Sequence, residues 1–534
     1  MLLSTHKTYL ISFLTIWFSA FAAFGQTMVY VTPTGMGNQS GSSWGNALPG
    51  TQLQPRLAAA TAGTQFWVAG GRYKPTTGMD RNVSFSLRNN VEVYGGFVGT
   101  ESTIAQRPVI NTTTPSATTL SGDLGIVGGR NDNTYNLFRN AGLDASAILD
   151  GVVISDGAGA PFGGGMFNNG SGAGSQCSPT IRNCWFSQNT AEWGGAVSNY
   201  GREGGVSNPK FTNCVFVQNR ALSNHGGAVF NDAFKGNSSP TLTGCLFISN
   251  EAHQQGGAIA NNIHQGTCDF VLTSCQFIQN TAISGGAVMI FNEQATSTPI
   301  IKNCVFTQNL GTSYGGAIYV TLGGACVPKL TNCTFTNNSV SRPSNYGAAI
   351  FGNYIMQASE VQLVNCLVRD NDDFKNGAAI TAFGAQRFAI TYSNIQGGFT
   401  GTGNIDADPL FVDPANGNFR LQPGSPSINT GDPGSTTANV SATDLAGNPR
   451  IDNNRIDMGA YERQTTTGPI VTLREGNWND PTTWLFGQIP ASGDTILIRH
   501  RVGMPASYVG NARTVQYDAS GQLVFSPAAR LLLN

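Results

Sequence analysis

The sequence predicts an all-β chain folded as a right-handed, three-sided parallel β-helix, with end caps and a short C-terminal β module. Three observations predict it. Paired glycines recur at a nearly fixed period, a Cys-x-Phe-x-x-Asn motif precedes each pair, and the apolar spacing slips parity once per repeat. Units this short cannot fold alone, so each buries its apolar face against the next.

The motif Gly-Gly-Ala-aliphatic begins at Gly194, Gly226, Gly256, Gly285 and Gly315, with variants at Gly163, Gly347 and Gly377. Successive starts lie 31, 32, 30, 29, 30, 32 and 30 residues apart. The preceding motif reads NCWFSQN, NCVFVQN, GCLFISN, SCQFIQN, NCVFTQN, NCTFTNN and NCLVRDN, from Asn183, Asn213, Gly244, Ser274, Asn303, Asn332 and Asn365. Three residues before each cysteine stands an apolar side chain: Ile181, Phe211, Leu242, Leu272, Ile301, Leu330 or Leu363. Alternation along a strand puts positions two apart on one face, so a step of three demands a bend. The residue before each cysteine is Asn, Gly or Ser. Asn and Gly best tolerate left-handed backbone, which turns a strand through a corner in one residue. The segments are β-branched and aromatic, punctuated by Gly, Pro and Asn, and lack the 3.6-residue period of a helical repeat.

Stacking coils about 4.8 Å apart makes each repeated position a ladder, and eight coils occupy about 35–40 Å of axis. Cys184, Cys214, Cys245, Cys275, Cys304, Cys333 and Cys366 form one such column. Phe186, Phe216, Phe247, Phe277, Phe306 and Phe335 form an aromatic stack, continued by Val368. Asn189, Asn219, Asn250, Asn280, Asn309, Asn338 and Asn371 form an amide ladder at a turn, bonded from coil to coil. LDGVVISD is read as an earlier coil, with Gly151 and Val153 at the Cys and Phe positions and Asp156 replacing the ladder Asn. Cys177, Cys268 and Cys326 share a phase with Ser207, Ser238, Ser297 and Ser359, a position that wants a small side chain. The cysteines are read as buried free thiols, with pairing between ladder neighbours left open.

Charged residues make up 11% of the 534, Gly fills 67 positions and the formal charge is −1. With 40% apolar residues the chain buries a core rather than staying disordered. It has no basic stripe to neutralise phosphates, which excludes nucleic acid as a partner. Residues 1–25 read as a signal peptide: Lys7 begins it, Tyr9 to Phe24 is apolar, and Ala23 and Gly25 suit cleavage before Gln26. The apolar stretch is shorter than a comfortable span of roughly 20 residues. The mature chain is therefore expected to lack a transmembrane segment and to lie outside the cell or at a bacterial surface. The expected organisation is a cap with first coils over 26–145, repeats over 146–400 and a closing cap over 401–463. A linker over 464–468 and a further β module over 469–534, short or truncated, follow.

The paired FxxN and GGA[IVL] motifs, in order from Gly163 to Ile380, resemble polymorphic outer-membrane protein repeats, a family of bacterial surface β-helices. That resemblance implies a surface location and adhesion, although this chain lacks room for the family's C-terminal outer-membrane barrel. The flanks resemble secreted bacterial pectate-lyase-like proteins, of the pectin lyase fold. The carrying segments are YVTPTGMGNQSGSSWGNA, FWVAGGRYKPT and VEVYGGFVGTE in front, and NIDADPLFVDPANGNFRLQPGSPSINTGDPG and DLAGNPRIDNNRIDMGAYE behind. The rear segment is also similar to the region preceding variable, choice-of-anchor termini in Bacteroidetes-type surface proteins.

Three functions are weighed. The first, adopted here, is a non-catalytic, adhesin-like protein binding extracellular glycan, matrix or a surface protein. The second is a polysaccharide lyase or glycoside hydrolase acting on an acidic polysaccharide, because this fold class hosts such enzymes. Uronate chemistry needs acidic calcium ligands and a Lys or Arg base close together on one face. Glu192, Asp232, Glu251 and Asp269 do not share a phase. Asp370, Asp372 and Asp373 with Arg369 and Lys375 read as a solvated turn, and Asp406 and Asp408 of NIDAD as shaping the cap. No catalytic residue or metal ligand is assigned, no Cys/His spacing matches zinc, and calcium is the one cofactor left open. The third function is sugar stacking. The residue before each glycine pair is Phe162, Trp193, His225, Gln255, Ser284, Tyr314, Tyr346 or Asn376, which makes Trp193, Tyr314 and Tyr346 candidate binding residues. The competing reading packs those aromatics beside the turn.

Overall fold

The computed structural model describes residues 26–533 except 160, 342–345, 356–358, 373–378, 384–386, 453–454, 465–468 and 485–488. The leader of residues 1–25, most of the expected linker, and Asp373, Lys375, Asn376 and Gly377 lie outside the described residues. The chain is an all-β parallel solenoid in which the repeats feed three long sheets of 13, 11 and 9 strands. Sheet I runs from Leu48–Pro49 and Thr27–Thr32 to Phe388–Thr391, and sheet II from Gly71–Tyr73 to Asn394–Ile395. Sheet III runs from Phe138–Ala141 to Ile380–Ala382, and a six-stranded ribbon from Thr190–Ala191 to Ser339–Val340 forms a short fourth side. Among the described residues the only α-helix is Leu53–Ala58. Five strands of sheet I precede Thr180–Arg182, so the solenoid extends well in front of the eight glycine-marked repeats.

The expected corner is present in every repeat. Asn183, Asn213, Ser274, Asn303, Asn332 and Asn365 have φ between +52° and +56°, and Gly244 has +63°. The turn carries the chain from sheet I, whose inward Ile181, Phe211, Leu242 and Leu272 are fully buried, into sheet II. There the phenylalanine rings from Phe186 to Phe335 stack with centroids 4.6–4.8 Å apart and planes within 8°. Val368 pairs with Phe335 and continues the column. All ten cysteines are free and buried. Cys214 Sγ, for example, lies 3.7 Å from Ile181 O and 3.5 Å from Thr212 O, as a weak donor.

A second left-handed residue, such as Gln188, Gln218, Ser249 or Gln279, precedes each ladder asparagine. The amides then join coil to coil: Asn219 Nδ2 donates to Asn250 Oδ1 at 3.0 Å and to Phe216's counterpart one coil back, Phe186 O, at 2.9 Å. The same pattern reaches Asn371, which accepts from Asn338 Nδ2 at 2.9 Å.

One register reading from sequence is corrected. Val153 pairs with Trp185 and Ile154 with Phe186. Val152 and Ile154 therefore hold the Cys and Phe positions, rather than Gly151 and Val153. Gly151, at φ +71°, occupies the corner, and Asp156, at +62°, matches Gln188. Gly157 takes the ladder position and donates its N–H to Asn189 Oδ1 at 3.0 Å. The physical reason is that a glycine belongs where the backbone is left-handed, one place earlier than the cysteine.

The segment after residue 400 does more than close the end. Ile405 bridges Asn394, but Phe411, Phe419, Leu421 and Ala460 then pack outside sheet II against Val305 and Leu367. Corner asparagines hold this returning strip. Asn332 Nδ2 donates to Asp457 O at 3.2 Å, and Asn365 Oδ1 accepts from Asp432 N at 2.6 Å. Beyond it, Ile470–Val471 to Arg530–Leu533 form small parallel sheets around their own core of Trp478, Trp484, Ile496, Ile498, Val502 and Met504.

Candidate functional site

The outer face of sheet III is where the sequence-derived binding residues fall. The first glycine of each pair is left-handed, with φ from +54° at Gly163 to +72° at Gly226, and swings the chain into sheet III. The second lies against the next coil: a Cβ on Gly227 would stand 2.1 Å from Gly257 O. The residue before the pair is thereby laid across the outward row of the sheet, which reads Phe167, Ser198, Phe230, Ala260, Met289, Tyr319 and Phe351.

Two aromatic groups result. In front, Phe162 meets Tyr200 at 4.4 Å between centroids, and Trp193 meets Phe230 at 4.8 Å and His225 at 5.0 Å. Behind, Tyr314 meets Tyr346 at 4.6 Å and Phe351 at 5.2 Å, while Phe383 stands over Phe351 at 5.0 Å. The structure thus brings Tyr314 and Tyr346 together and leaves Trp193 four coils away, about 19 Å at the usual spacing. Between the groups the coils carry Gln255, Ala260, Ser284 and Met289. Trp193, Tyr314 and Tyr346 are half-buried: one side of each packs on the row beneath and the rest meets solvent.

A polar column borders this face, and the sequence reading did not single it out. The Arg202 guanidinium lies 5.2 Å from the Phe234 ring, and that ring is parallel to His264 at 5.1 Å. His264 Nδ1 is 2.9 Å from Glu293 Oε2, and Arg202 Nε is 3.4 Å from Asp232 Oδ2. Burial pushes the Asp232 carboxyl up, against the pull of Arg202. Burial also lowers His225 to about 4, so it is neutral at neutral pH. The face offers aromatic surfaces, the neutral His225 imidazole and charged groups, with Asp232 held by Arg202 and Glu293 paired with the His264 ring. Tyr200, Phe230, Tyr319 and Phe351 are further components. Strand alternation from the aliphatic residue of each glycine motif would have placed the last three outward.

The acidic positions weighed from sequence do not converge. Glu251 pairs with Arg220 at 2.8 Å, and Asp269 Oδ1 accepts from Thr298 N at 2.6 Å. Arg369 reaches Asp406 at 2.7 Å, Asp406 also accepts from Gly397 N, and Asp408 accepts from Leu410 N. Among the described residues no three His, Cys, Asp or Glu side chains are grouped to hold a metal ion, and no helix is long and apolar enough to cross a membrane.

The class these features define is a repeat-built parallel β-solenoid whose sheet III carries an aromatic outer face. A family model, the Chlamydia polymorphic membrane protein (Chlamydia_PMP) repeat, matches residues 303–321. No curated protein matches the chain. Among solved structures it is similar to pectate lyase Pel9A, at 14% identity and a TM-score of 0.46, over 82% of this chain and 96% of that one. It is also similar to the PL6 family alginate lyase AlyGC, at 12% identity and 0.35, over 95% and 71%. A third is the tailspike protein gp49 of Acinetobacter baumannii bacteriophage Fri1, a capsular polysaccharide depolymerase, at 12% and 0.35, over 72% and 63%.

Proposed function

We propose that this chain is a non-catalytic, exported β-helix protein that binds extracellular glycan through the outer face of sheet III. The observation that carries the reading is the two aromatic groups around Trp193 and around Tyr314 with Tyr346, half-buried and edged by polar side chains. Aromatic rings with one side packed and the other wet suit sugar rings, whose C–H faces stack while hydroxyls find polar neighbours. Export by the leader of residues 1–25 would deliver the rod to the cell surface or beyond it, where such glycans lie.

The test is a product and retention assay on residues 26–534 against a panel of neutral and acidic polysaccharides. New reducing ends and unsaturated uronates are followed with and without calcium, alongside pull-down of each glycan. Retention without cleavage, lost in Trp193→Ala and Tyr314→Ala proteins that keep their thermal midpoint, is the expected outcome. Cleavage of any member replaces this reading with the lyase or hydrolase one. Failure to retain any glycan leaves a protein-binding or structural rod.

A further inference from the structure

A second site lies far from sheet III, in a cleft of about 630 Å³ where three distant stretches of chain meet. Asn111, from the loop before Thr118–Ser121, forms one wall. Arg420 and Asn448 of the strip returning along sheet II form the second, and Leu473, Arg474 and Trp484 of the C-terminal module the third. A cleft of this size at a junction between packed units is the usual setting of a small-ligand site.

Its charge is one-sided. Among the described residues that line it, two carry guanidiniums and none carries a carboxylate. Arg420 is held by stacking on Tyr461, 5.0 Å from the ring centroid, and makes a long 3.4 Å bond to Asn418 Oδ1. Its Nε is buried without a hydrogen-bond partner. Arg474 donates through Nε to Thr482 O at 3.1 Å, stands 3.8 Å from Asp480 and is 60% exposed. A planar guanidinium suits a carboxylate, which it can receive through two parallel charge-assisted hydrogen bonds. Leu473, itself 57% exposed, gives an apolar surface beside these charges. The combination of an apolar wall, an amide and two planar cations matches a ring that carries a carboxylate, and the cleft is much larger than a bare inorganic anion.

We infer that this cleft binds a carboxylate-bearing sugar unit, its carboxylate received by Arg420 and Arg474. The site is independent of the sheet III reading and stands or falls separately.

Titration of residues 26–534 with trigalacturonate, followed by calorimetry, tests it against a neutral trisaccharide, inorganic phosphate and sulfate. Trigalacturonate is expected to bind and to weaken as salt rises, since the attraction is screened. Arg474→Gln, on an exposed side chain, should weaken it about tenfold or more with the thermal midpoint unchanged. Arg420→Lys, which keeps the charge but loses the planar fork, should also weaken it. Lys210→Gln, at an exposed cation on sheet I outside the cleft, should leave it unaltered. The assignment is overturned by absence of trigalacturonate binding, by binding indifferent to Arg474→Gln, or by equal affinity for the neutral trisaccharide. Equal affinity for phosphate or sulfate would likewise overturn it, by marking a simple ion site.

Discussion

The inner and outer faces of sheet III are made from alternate residues of the same strands, yet they obey different rules. Inside, Met166, Val197, Val229, Ile259, Val288 and Ile318 repeat one aliphatic theme, and next to them Asn140, Asn168, Asn199, Asn231 and Asn261 form a second buried amide ladder with bonds of 2.8–2.9 Å. Outside, the matching row runs Phe, Ser, Phe, Ala, Met, Tyr, Phe from 167 to 351. An inward side chain has a neighbour above and below in a closed space, so it is bound to match them. An outward one has a free side, and its variation along the rod makes distinct places on an otherwise periodic surface.

The contrast predicts a hierarchy of mutational effects. The largest belongs to the close approach between coils. Gly227→Val places a Cβ 2.1 Å from Gly257 O and 2.6 Å from Glu251 backbone atoms. A loss above about 4 kcal/mol is expected, seen as a collapsed urea midpoint. An unchanged midpoint would break the stacking account.

Next comes the inner ladder. Asn250→Ala removes the acceptor for both the N–H and the Nδ2 of Asn219, and the donor to Phe216 O. Two to three buried groups left unpaired should cost about 2–4 kcal/mol in denaturant unfolding. A cost near zero would mean that water replaces the amide.

Smaller again are Trp193→Ala and Tyr314→Ala on the outer face. Each gives up one half-buried aromatic contact and should change stability by less than about 2 kcal/mol, while glycan retention falls sharply. A stability loss as large as that of Asn250→Ala would move these residues from the binding account to the packing account.

The last expected effect is absent at neutral pH and appears only on acidification. His225 falls to about 4 in the folded chain because burial disfavours its charge, against roughly 6.5 when unfolded. The unfolded state binds more protons in that interval, so His225's contribution is complete above about pH 6.5 and is lost as pH falls through about 4. Comparing unfolding midpoints at pH 4.5, 5.5 and 7 for the wild type and His225→Asn should show a flatter profile in the variant. Equal profiles would remove burial as the cause.

Much of the coil is legible in the sequence. The corner at Asn183 and its equivalents followed from a parity slip, and the phenylalanine and asparagine columns from strict repetition. The second amide ladder escaped notice because it lapses to Ile290 and Val320 and so breaks the pattern. Its parity with the aliphatic residue two places earlier was the available clue. In LDGVVISD, apolar residues alone left the register one place off, and the left-handed glycine corrects it.

What the sequence alone determined is the coil: its period, its corners and its inward columns. These follow from local backbone preference and alternation, which act within a single repeat. What only the tertiary structure decided is which variable residues meet. Tyr314 and Tyr346 join while Trp193 stands apart, Arg202 and Asp232 pair across coils, and the returning strip and C-terminal module place Arg420 near Arg474 around one cleft. Those encounters depend on how coils and flanks pack, a long-range outcome that no one repeat encodes.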